Sequence, residues 1–272
     1  MVYTQLIPRH TEDALVEEIS RETSHYRLWI PSGKADAYRL AQLDDYAQLK
    51  REQFLLRYPL TLSLSARVSS ESIPGTWGFG LWNDPFGLSL GFGGNPFRLP
   101  ALPNTAWFFG ASSQSYLSFR DDQAAGNGFL TQTFRSPKFH SWLILAGMAL
   151  PFSRKIARRL MGRVIQDEEI DLCREGQLPF PTEVFPMKVT QWHRYKLDWR
   201  EKRVSFEIDD VLVFESQVSP HPPLGLVIWI DNQYAAFTPE GKIGFGVLEN
   251  VEPAWLEVKE MEINYRRSEP VR

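Results

Sequence analysis

The chain has 272 residues, of which 43% are hydrophobic and 23% charged, a composition that excludes collagen-like, coiled-coil and wholly disordered proteins. Thirty basic residues against 33 acidic ones give a net charge of −3, which argues against a nucleic-acid-binding protein with a strongly basic surface. The single cysteine, Cys173, cannot form an internal disulfide. Because we find neither a signal-peptide pattern nor an apolar stretch long enough to span a membrane, we expect a cytoplasmic protein.

Strand signals cover most of the chain after a polar N-terminal segment. Residues 1–25 have a helical rhythm, which predicts a short helix or a loose arm. Residues 60–68 alternate between apolar and polar side chains, so Leu60, Leu62, Leu64, Ala66 and Val68 should share one buried face. Further strands are predicted at residues 26–30, 76–82, 88–92, 105–110, 113–119, 189–199, 203–208, 211–215, 224–230, 242–248 and 255–263. The pattern predicts one all-β domain over residues 26–272.

One segment interrupts this pattern. Residues 123–166 contain seven basic residues and no acidic one, and Ile156, Leu160 and Val164 recur at helical spacing after Ser153 as a cap. These residues predict an amphipathic helix inserted in the β domain around residues 152–175. We expect residues 142–163 to cover or border a cleft and to make weak contact with anionic membrane surfaces. The alternative is that the acidic residues after 166 neutralise the basic cluster in a lid or an oligomer contact.

Four segments resemble the concanavalin A-like lectin/glucanase superfamily, most of all laminarinase- and lichenase-type glycoside hydrolases. The residues that carry the resemblance are Trp192, His193, Tyr195 and Trp199 on one strand, a hairpin around Asp209 and Asp210, the run at 223–229 that ends in Trp229, and the Gly-Leu-Trp segment that ends in Trp82. The resemblance covers about residues 60–263. It implies a two-sheet jelly-roll sandwich whose concave face grips an extended ligand, usually a glycan.

The catalytic acids of that family lack a counterpart at the corresponding place. Retaining hydrolysis needs two carboxyl groups about 5–5.5 Å apart, and the family carries them on a strand soon after the Gly-Leu-Trp segment. Here that strand, residues 104–116, has no carboxylate. The nearest match is the run from Glu169 through Asp171 to Glu175. If the inserted helix continued through it, Glu168, Asp171 and Glu175 would form a solvated acidic face; the alternative is that the run carries displaced catalytic carboxylates. We therefore expect the hydrolytic pair to be lost and the protein not to hydrolyse β-glucans.

Candidate ligand-binding residues lie on the strands that the resemblance places at the cleft. Trp229, Asp231 and Gln233 share one strand parity, so an indole could stack on a ring while nearby polar groups bond its substituents. Trp82 is preferred over Trp77, which has the opposite parity. An apolar core position explains Trp229 equally well. The predicted ligand-binding set is Trp82, Asn83, Trp107, Trp229, Asp231 and Gln233.

The sequence thus predicts a carbohydrate- or ligand-binding, glucanase-like jelly roll. The alternative is an enzyme acting on an apolar small molecule such as a terpenoid, polyketide or lipid, because residues 72–119 contain eleven aromatic and only two charged side chains. In that case Asp84, His193 or Asp231 would transfer protons, since an apolar cleft raises a carboxyl pKa toward neutrality. The histidine spacing and the single cysteine predict no metal site. We also expect no cofactor, because no phosphate-binding loop is present, and no nucleic-acid partner, because the net charge is −3.

Overall fold

The computed structural model describes residues 5–85, 101–117, 128–137, 166–172, 187–237 and 243–265. These residues form seventeen strands, numbered β1 to β17 in chain order, and the one helical segment among them is a 3₁₀ turn at Arg51–Gln53. The strands are arranged in two seven-stranded sheets, here sheets A and B, and a three-stranded sheet C. Neighbouring strands within sheets A and B are antiparallel.

Within each sheet some neighbouring strands are far apart in the chain, as their spatial order shows. Sheet A contains β1 (Ile7–His10), β4 (Leu40–Asp44), β14 (Gly225–Asp231), β6 (Thr76–Trp82), β7 (Thr105–Ala111), β9 (Gly128–Arg135) and β10 (Gln166–Asp171). Sheet B contains β13 (Val211–Ser216), β12 (Arg203–Ile208), β11 (His193–Arg200), β5 (Leu60–Val68), β17 (Ala254–Tyr265), β3 (His25–Ile30) and β2 (Leu15–Ser20). Sheet C contains β16 (Ile243–Val247), β15 (Gln233–Phe237) and β8 (Tyr116–Leu117).

The main hydrophobic core lies between the inner faces of sheets A and B. Phe79 of β6 contacts Tyr195 of β11 with ring centroids 5.0 Å apart, and Phe108 of β7 contacts Phe206 of β12 at 5.3 Å. The apolar residues of β5 all face this core, each at most 2% exposed. Because alternate side chains of a strand point to opposite faces, each sheet contributes every second residue to the shared core. The prediction of an all-β, two-sheet jelly-roll sandwich is confirmed.

Two helix predictions are wrong where the structure describes the residues. The N-terminal segment forms β1 and β2 instead of a helix, because β2 pairs with β3 and turns Ala14 and Val16 toward the core. Residues 166–171 form β10, paired residue by residue with β9, and do not continue a helix. In both cases strand pairing, a tertiary interaction, overrides a short helical pattern.

The rest of the predicted insertion, residues 152–165 and 173–175, lies outside the described residues, as does the predicted membrane-contacting segment 142–163. Within the part of the chain that the structure describes, no helix has the length and apolar character needed to cross a bilayer.

Candidate ligand-binding site

The two faces of sheet A have different chemistry. On β6, Trp77, Phe79 and Leu81 belong to the main core, whereas the alternate positions belong to the opposite face. This opposite face, here called the outer face of sheet A, carries aromatic and hydrogen-bonding side chains, and most of them are buried. Its residues are Leu40, Gln42, Asp44, Thr76, Trp82, Thr105, Trp107, Phe109, Leu130, Gln132, Phe134, Val227, Trp229 and Asp231.

Three tryptophans from three strands meet on this face, and we call them the tryptophan cluster. Trp82 and Trp229 are parallel, with an interplanar angle of 3° and ring centroids 6.1 Å apart. The Trp107 ring lies 5.5 Å from Trp229 and 6.1 Å from Trp82. Trp107 and Trp229 are each 6% exposed, and Trp82 is half-buried. The structure thus brings together the three tryptophans of the predicted ligand-binding set.

Glycines on β6 make room for the cluster. Gly78 pairs with Trp229 on one side, and Gly80 pairs with Trp107 on the other. A Cβ atom at Gly78 would lie 2.8 Å from Cη2 of Trp229, and one at Gly80 would lie 2.7 Å from Cβ of Trp107. The missing side chains therefore let the indoles of the flanking strands meet over β6.

Each indole N–H of the cluster is held by a neighbouring acceptor. Trp229 donates from Nε1 to Thr76 Oγ1 at 2.9 Å, and Trp82 donates to the Tyr46 hydroxyl at 2.6 Å. Trp107 donates to Gln132 Oε1 at 3.3 Å. Since buried indole N–H groups need a partner, these bonds fix the orientation of all three rings.

Asp231 organises the Thr76 end of the outer face. Its Oδ1 accepts bonds from the Thr76 hydroxyl at 2.8 Å, the Thr76 backbone N–H at 3.1 Å and the Gln233 backbone N–H at 3.2 Å, and its Oδ2 accepts one from Tyr38 at 3.2 Å. Burial raises the pKa of Asp231 to about 6 in spite of these bonds, each of which lowers it. The Thr76 hydroxyl also receives the Trp229 N–H, so it joins the carboxyl group to the tryptophan cluster.

A second polar group lies on β4 and the turn that follows it. Gln42 donates from Nε2 to Asp44 Oδ2 at 2.8 Å and to the Tyr46 hydroxyl at 3.2 Å. Asp44 also accepts the backbone N–H groups of Tyr46 and Ala47, and burial raises its pKa. Sequence reasoning missed Gln42, Asp44 and Tyr46. Residues 41–44 alternate between apolar and polar side chains, but this signal covers only four residues of a strand that is buried on both faces.

At the other end of β6, one buried hydroxyl has no partner among the described residues. Thr105 pairs with Trp82 and is fully buried, and within the described part of the chain its Oγ1 makes no hydrogen bond. Asn83, which follows Trp82, donates to the Leu102 carbonyl and accepts the Asn104 backbone N–H, so its amide is engaged in holding a loop. The half-buried Trp82 is the most accessible tryptophan of the cluster and marks the accessible end of the site.

The three candidate proton-transfer residues do not form one group. Asp84 follows the C-terminal end of β6, whereas Asp231 pairs with Thr76 at the N-terminal end. His193 lies on β11 of sheet B, where Nδ1 bonds to Asp209 Oδ2 at 2.6 Å and Nε2 to the Lys188 carbonyl at 3.1 Å. Among the described residues no three metal-ligating side chains cluster.

Within the described residues, the acidic run for which the sequence predicts a helix lies on an edge strand of sheet A; Glu175 lies outside the described residues. In the register of β10 with β9, Asp167 pairs with Phe134, Glu169 with Gln132, and Asp171 with Leu130. All three partners on β9 belong to the outer face of sheet A. The backbone therefore places three alternate acidic positions beside the row that contains Trp107 and Gln132.

Comparisons with known proteins found similarity to solved structures only: no family model matches the chain, and no curated protein matches it. The structure of LamAcat from Zobellia galactanivorans is 14% identical, with coverage of 94% of this chain and 80% of that chain and a TM-score of 0.47. The catalytic domain of a laminarinase from Thermotoga petrophila is 12% identical, with 93% and 79% coverage and a TM-score of 0.41. The binding domain of botulinum neurotoxin DC, in complex with SialylT, is 8% identical, with 96% and 42% coverage and a TM-score of 0.42.

Proposed function

We propose that the protein binds a glycan on the outer face of sheet A, with Trp82 as the main contact. The observation that carries this proposal is the composition of the face. An outer sheet face that served only for packing would be covered by apolar side chains, because a buried polar group costs free energy unless it is hydrogen-bonded. Here aromatic rings alternate with amide, hydroxyl and carboxyl groups.

That combination suits a sugar. A pyranose ring has an apolar face that stacks on an indole and hydroxyl groups that bond to polar side chains. The polar side chains of the outer face favour such a ligand over a terpenoid or lipid, because sugar hydroxyls can join their hydrogen bonds and an apolar molecule cannot. Trp107 and Trp229 are too deeply buried for extensive contact with a ligand, so we assign them the role of supporting and orienting Trp82.

Binding to laminarin and lichenan, measured by affinity electrophoresis in gels that contain the polysaccharide, tests the proposal. We expect Trp82→Ala to weaken retardation at least about tenfold, equivalent to about 1.4 kcal/mol. The matched control is Trp255→Ala, which removes an indole from the outer face of sheet B and should leave retardation by this site unchanged. Equal retardation of the wild type and Trp82→Ala would refute the proposal.

Glycoside hydrolysis at the same face is a second candidate, and the register of β10 favours it. The expectation that the hydrolytic acids are lost depends on the absence of a carboxylate in residues 104–116 and also on a helical acidic run. Glu169 and Asp171 are, however, alternate residues of a strand. Alternate residues of a strand lie on one face, as a pair of carboxyl groups about 5–5.5 Å apart would require.

Reducing-end release from laminarin and lichenan decides between binding alone and hydrolysis. Turnover that disappears in both Glu169→Gln and Asp171→Asn, with polysaccharide retardation retained, would establish hydrolysis. The matched control is Glu168→Gln, because Glu168 pairs with Thr133 and has the opposite parity. An absence of turnover in the wild type would leave the binding function alone.

A further inference from the structure

The outer face of sheet B carries a second arrangement of tryptophans and charged residues, on the side of the sandwich opposite the proposed glycan site. Across four adjacent strands the register aligns Arg67, Glu257, Arg27 and Glu17, so positive and negative charges alternate. The next row aligns Trp255, Trp29 and Leu15.

Most of this face is engaged in its own contacts. Glu257 is 1% exposed and binds the guanidinium groups of Arg27 at 2.6 Å and Arg67 at 2.7 Å. Arg67 lies over the rings of Trp192 and Trp255, with its Cζ 4.8 and 5.3 Å from their centroids. Because cationic side chains already cover the indoles of Trp192 and Trp255, these two rings have little free surface for a ligand.

Trp29 differs from the other tryptophans of the described residues. Eight tryptophans lie there, and seven contact an aromatic ring or a cation. Trp29 has neither such a contact nor a hydrogen bond to its indole N–H. It is half-buried and forms one wall of a shallow cavity of about 260 Å³ whose other walls are Leu15, Glu17 and Arg27.

The charged groups of this cavity also have unused bonding capacity. The exposed carboxylate of Glu17 makes no hydrogen bond or ion pair within the described residues. Arg27 uses Nε and Nη2 on Glu257, while its Nη1 makes no bond. The cavity therefore offers a free indole, a free acceptor group and a free donor group side by side.

We propose that this cavity is a second binding site, distinct from the outer face of sheet A, and that it takes one pyranose ring of a neutral glycan. The walls of the cavity carry one negative group, Glu17, and one positive group, Arg27. Both signs together disfavour a charged ligand, since either sign of charge meets a like charge in the wall. Sugar hydroxyls both donate and accept hydrogen bonds, so they match a carboxylate beside a guanidinium. The volume lies just below the range of about 300–1,000 Å³ for drug-sized ligands, which suits one sugar ring rather than a long chain.

The test uses the full-length chain and laminarihexaose and maltohexaose as probes, followed through indole N–H resonances in two-dimensional ¹H–¹⁵N spectra. The Trp29 resonance is assigned as the one missing in Trp29→Phe. We expect a saturable shift of this resonance, with a dissociation constant of about 1 mM for one stacked ring. Glu17→Gln, an exposed substitution, should weaken that binding at least about fivefold, because it removes a charge-assisted hydrogen bond.

Two control variants separate this site from its surroundings and from the proposed glycan site. Ile19→Ala, on the same strand and outside the cavity, should leave the shift of the Trp29 resonance unchanged. Trp82→Ala should also leave it unchanged, even if it abolishes polysaccharide retardation. The inference is wrong if neither hexasaccharide shifts the Trp29 resonance, or if Glu17→Gln shifts it as strongly as the wild type does.

Discussion

The outer faces of the two sheets both carry tryptophans, but they surround them with different chemistry. On sheet A, Trp82, Trp107 and Trp229 pack against one another and donate their N–H groups to neutral acceptors. On sheet B, Trp192 and Trp255 are covered by arginine or lysine side chains, and Glu257, which lies between Arg27 and Arg67, is ion-paired with both. An indole covered by a cation is stabilised in place, whereas an indole in a neutral polar surrounding can exchange neighbours for a ligand.

The largest expected contrast is in stability after truncation of one indole on each face. Trp229→Ala should lower the free energy of unfolding by about 4 kcal/mol, because it leaves a cavity among closely packed rings. Trp255→Ala should cost about 1–2 kcal/mol, since it removes cation–π contacts from a half-buried position. Chemical denaturation of both variants measures the difference. Equal losses would mean that the two faces are packed alike.

A change of pH should alter the stability contributed by Asp231 on sheet A and by Glu257 on sheet B in opposite directions. The pKa of Asp231 rises from an ordinary value of 3.8 to about 6 on folding because the carboxyl group is buried. Below pH of about 4 Asp231 is protonated in both the folded and the unfolded state, and above pH of about 6 it is ionised in both. Between these values its contribution to the free energy of unfolding falls by about 3 kcal/mol. Stability should therefore fall as pH rises through this window, and Asp231→Asn should remove that part of the decrease.

Glu257 should act in the reverse sense. Burial alone would raise its pKa, but hydrogen bonds and charges from Arg67 and Arg27 outweigh burial and hold the pKa below the ordinary value of 4.5. Its contribution is therefore fully present above pH of about 4.5 and is lost as pH falls through the lower folded value. Denaturation curves of the wild type, Asp231→Asn and Glu257→Gln from pH of about 3 to 7 separate the two effects. Asp45 is retained in all three proteins. Burial raises its pKa to about 7, so its own contribution to the pH dependence is then the same in each curve.

At neutral pH, Glu257→Gln should lower the free energy of unfolding by about 2 kcal/mol. The substitution leaves two guanidinium groups without their buried counter-ion, but Arg27 and Arg67 are 40% and 34% exposed, so water compensates part of the loss. Urea denaturation at low and high salt measures the effect. A similar substitution on the same face, Glu17→Gln, should cost almost nothing, because Glu17 has no hydrogen-bond or ion-pair partner within the described residues.

The fold could be predicted from the sequence where the alternation was long. The nine residues of β5 and the stretch of β6 show a clear two-residue period, and their faces follow directly from it. The strands that were missed, such as β4 and β9, are short or are buried on both faces, so alternation is masked. The N-terminal strands β1 and β2 and the strand β10 are edge strands of their sheets. An edge strand can carry charged residues at the spacing that is also typical of a helix, so the sequence predicts a helix for these segments.

The candidate site was predictable in part for the same reason. Parity within each strand, together with the family resemblance, selected Trp82 and Trp229 as ligand-binding candidates, and the structure stacks their rings against each other. The polar partners Thr76, Tyr46 and Gln132 could not be found, since each becomes important only through a neighbour on another strand. Only the pairing of the strands shows that Gly78 and Gly80 of β6 leave the space in which the indoles of the flanking strands meet.

The smallest expected effect compares the two faces of sheet A directly. Thr105 on the outer face and Thr131 on the inner face are both fully buried, and neither hydroxyl has a hydrogen-bond partner among the described residues. Replacement by valine keeps the shape of each side chain and removes the unpaired polar group, so each variant should gain up to about 1 kcal/mol in the free energy of unfolding. Both variants should retain polysaccharide retardation, because neither buried hydroxyl can reach a ligand. Chemical denaturation and affinity electrophoresis of the two variants measure these effects. Weaker retardation of Thr105→Val alone would mean that the glycan site on the outer face of sheet A extends as far as Thr105.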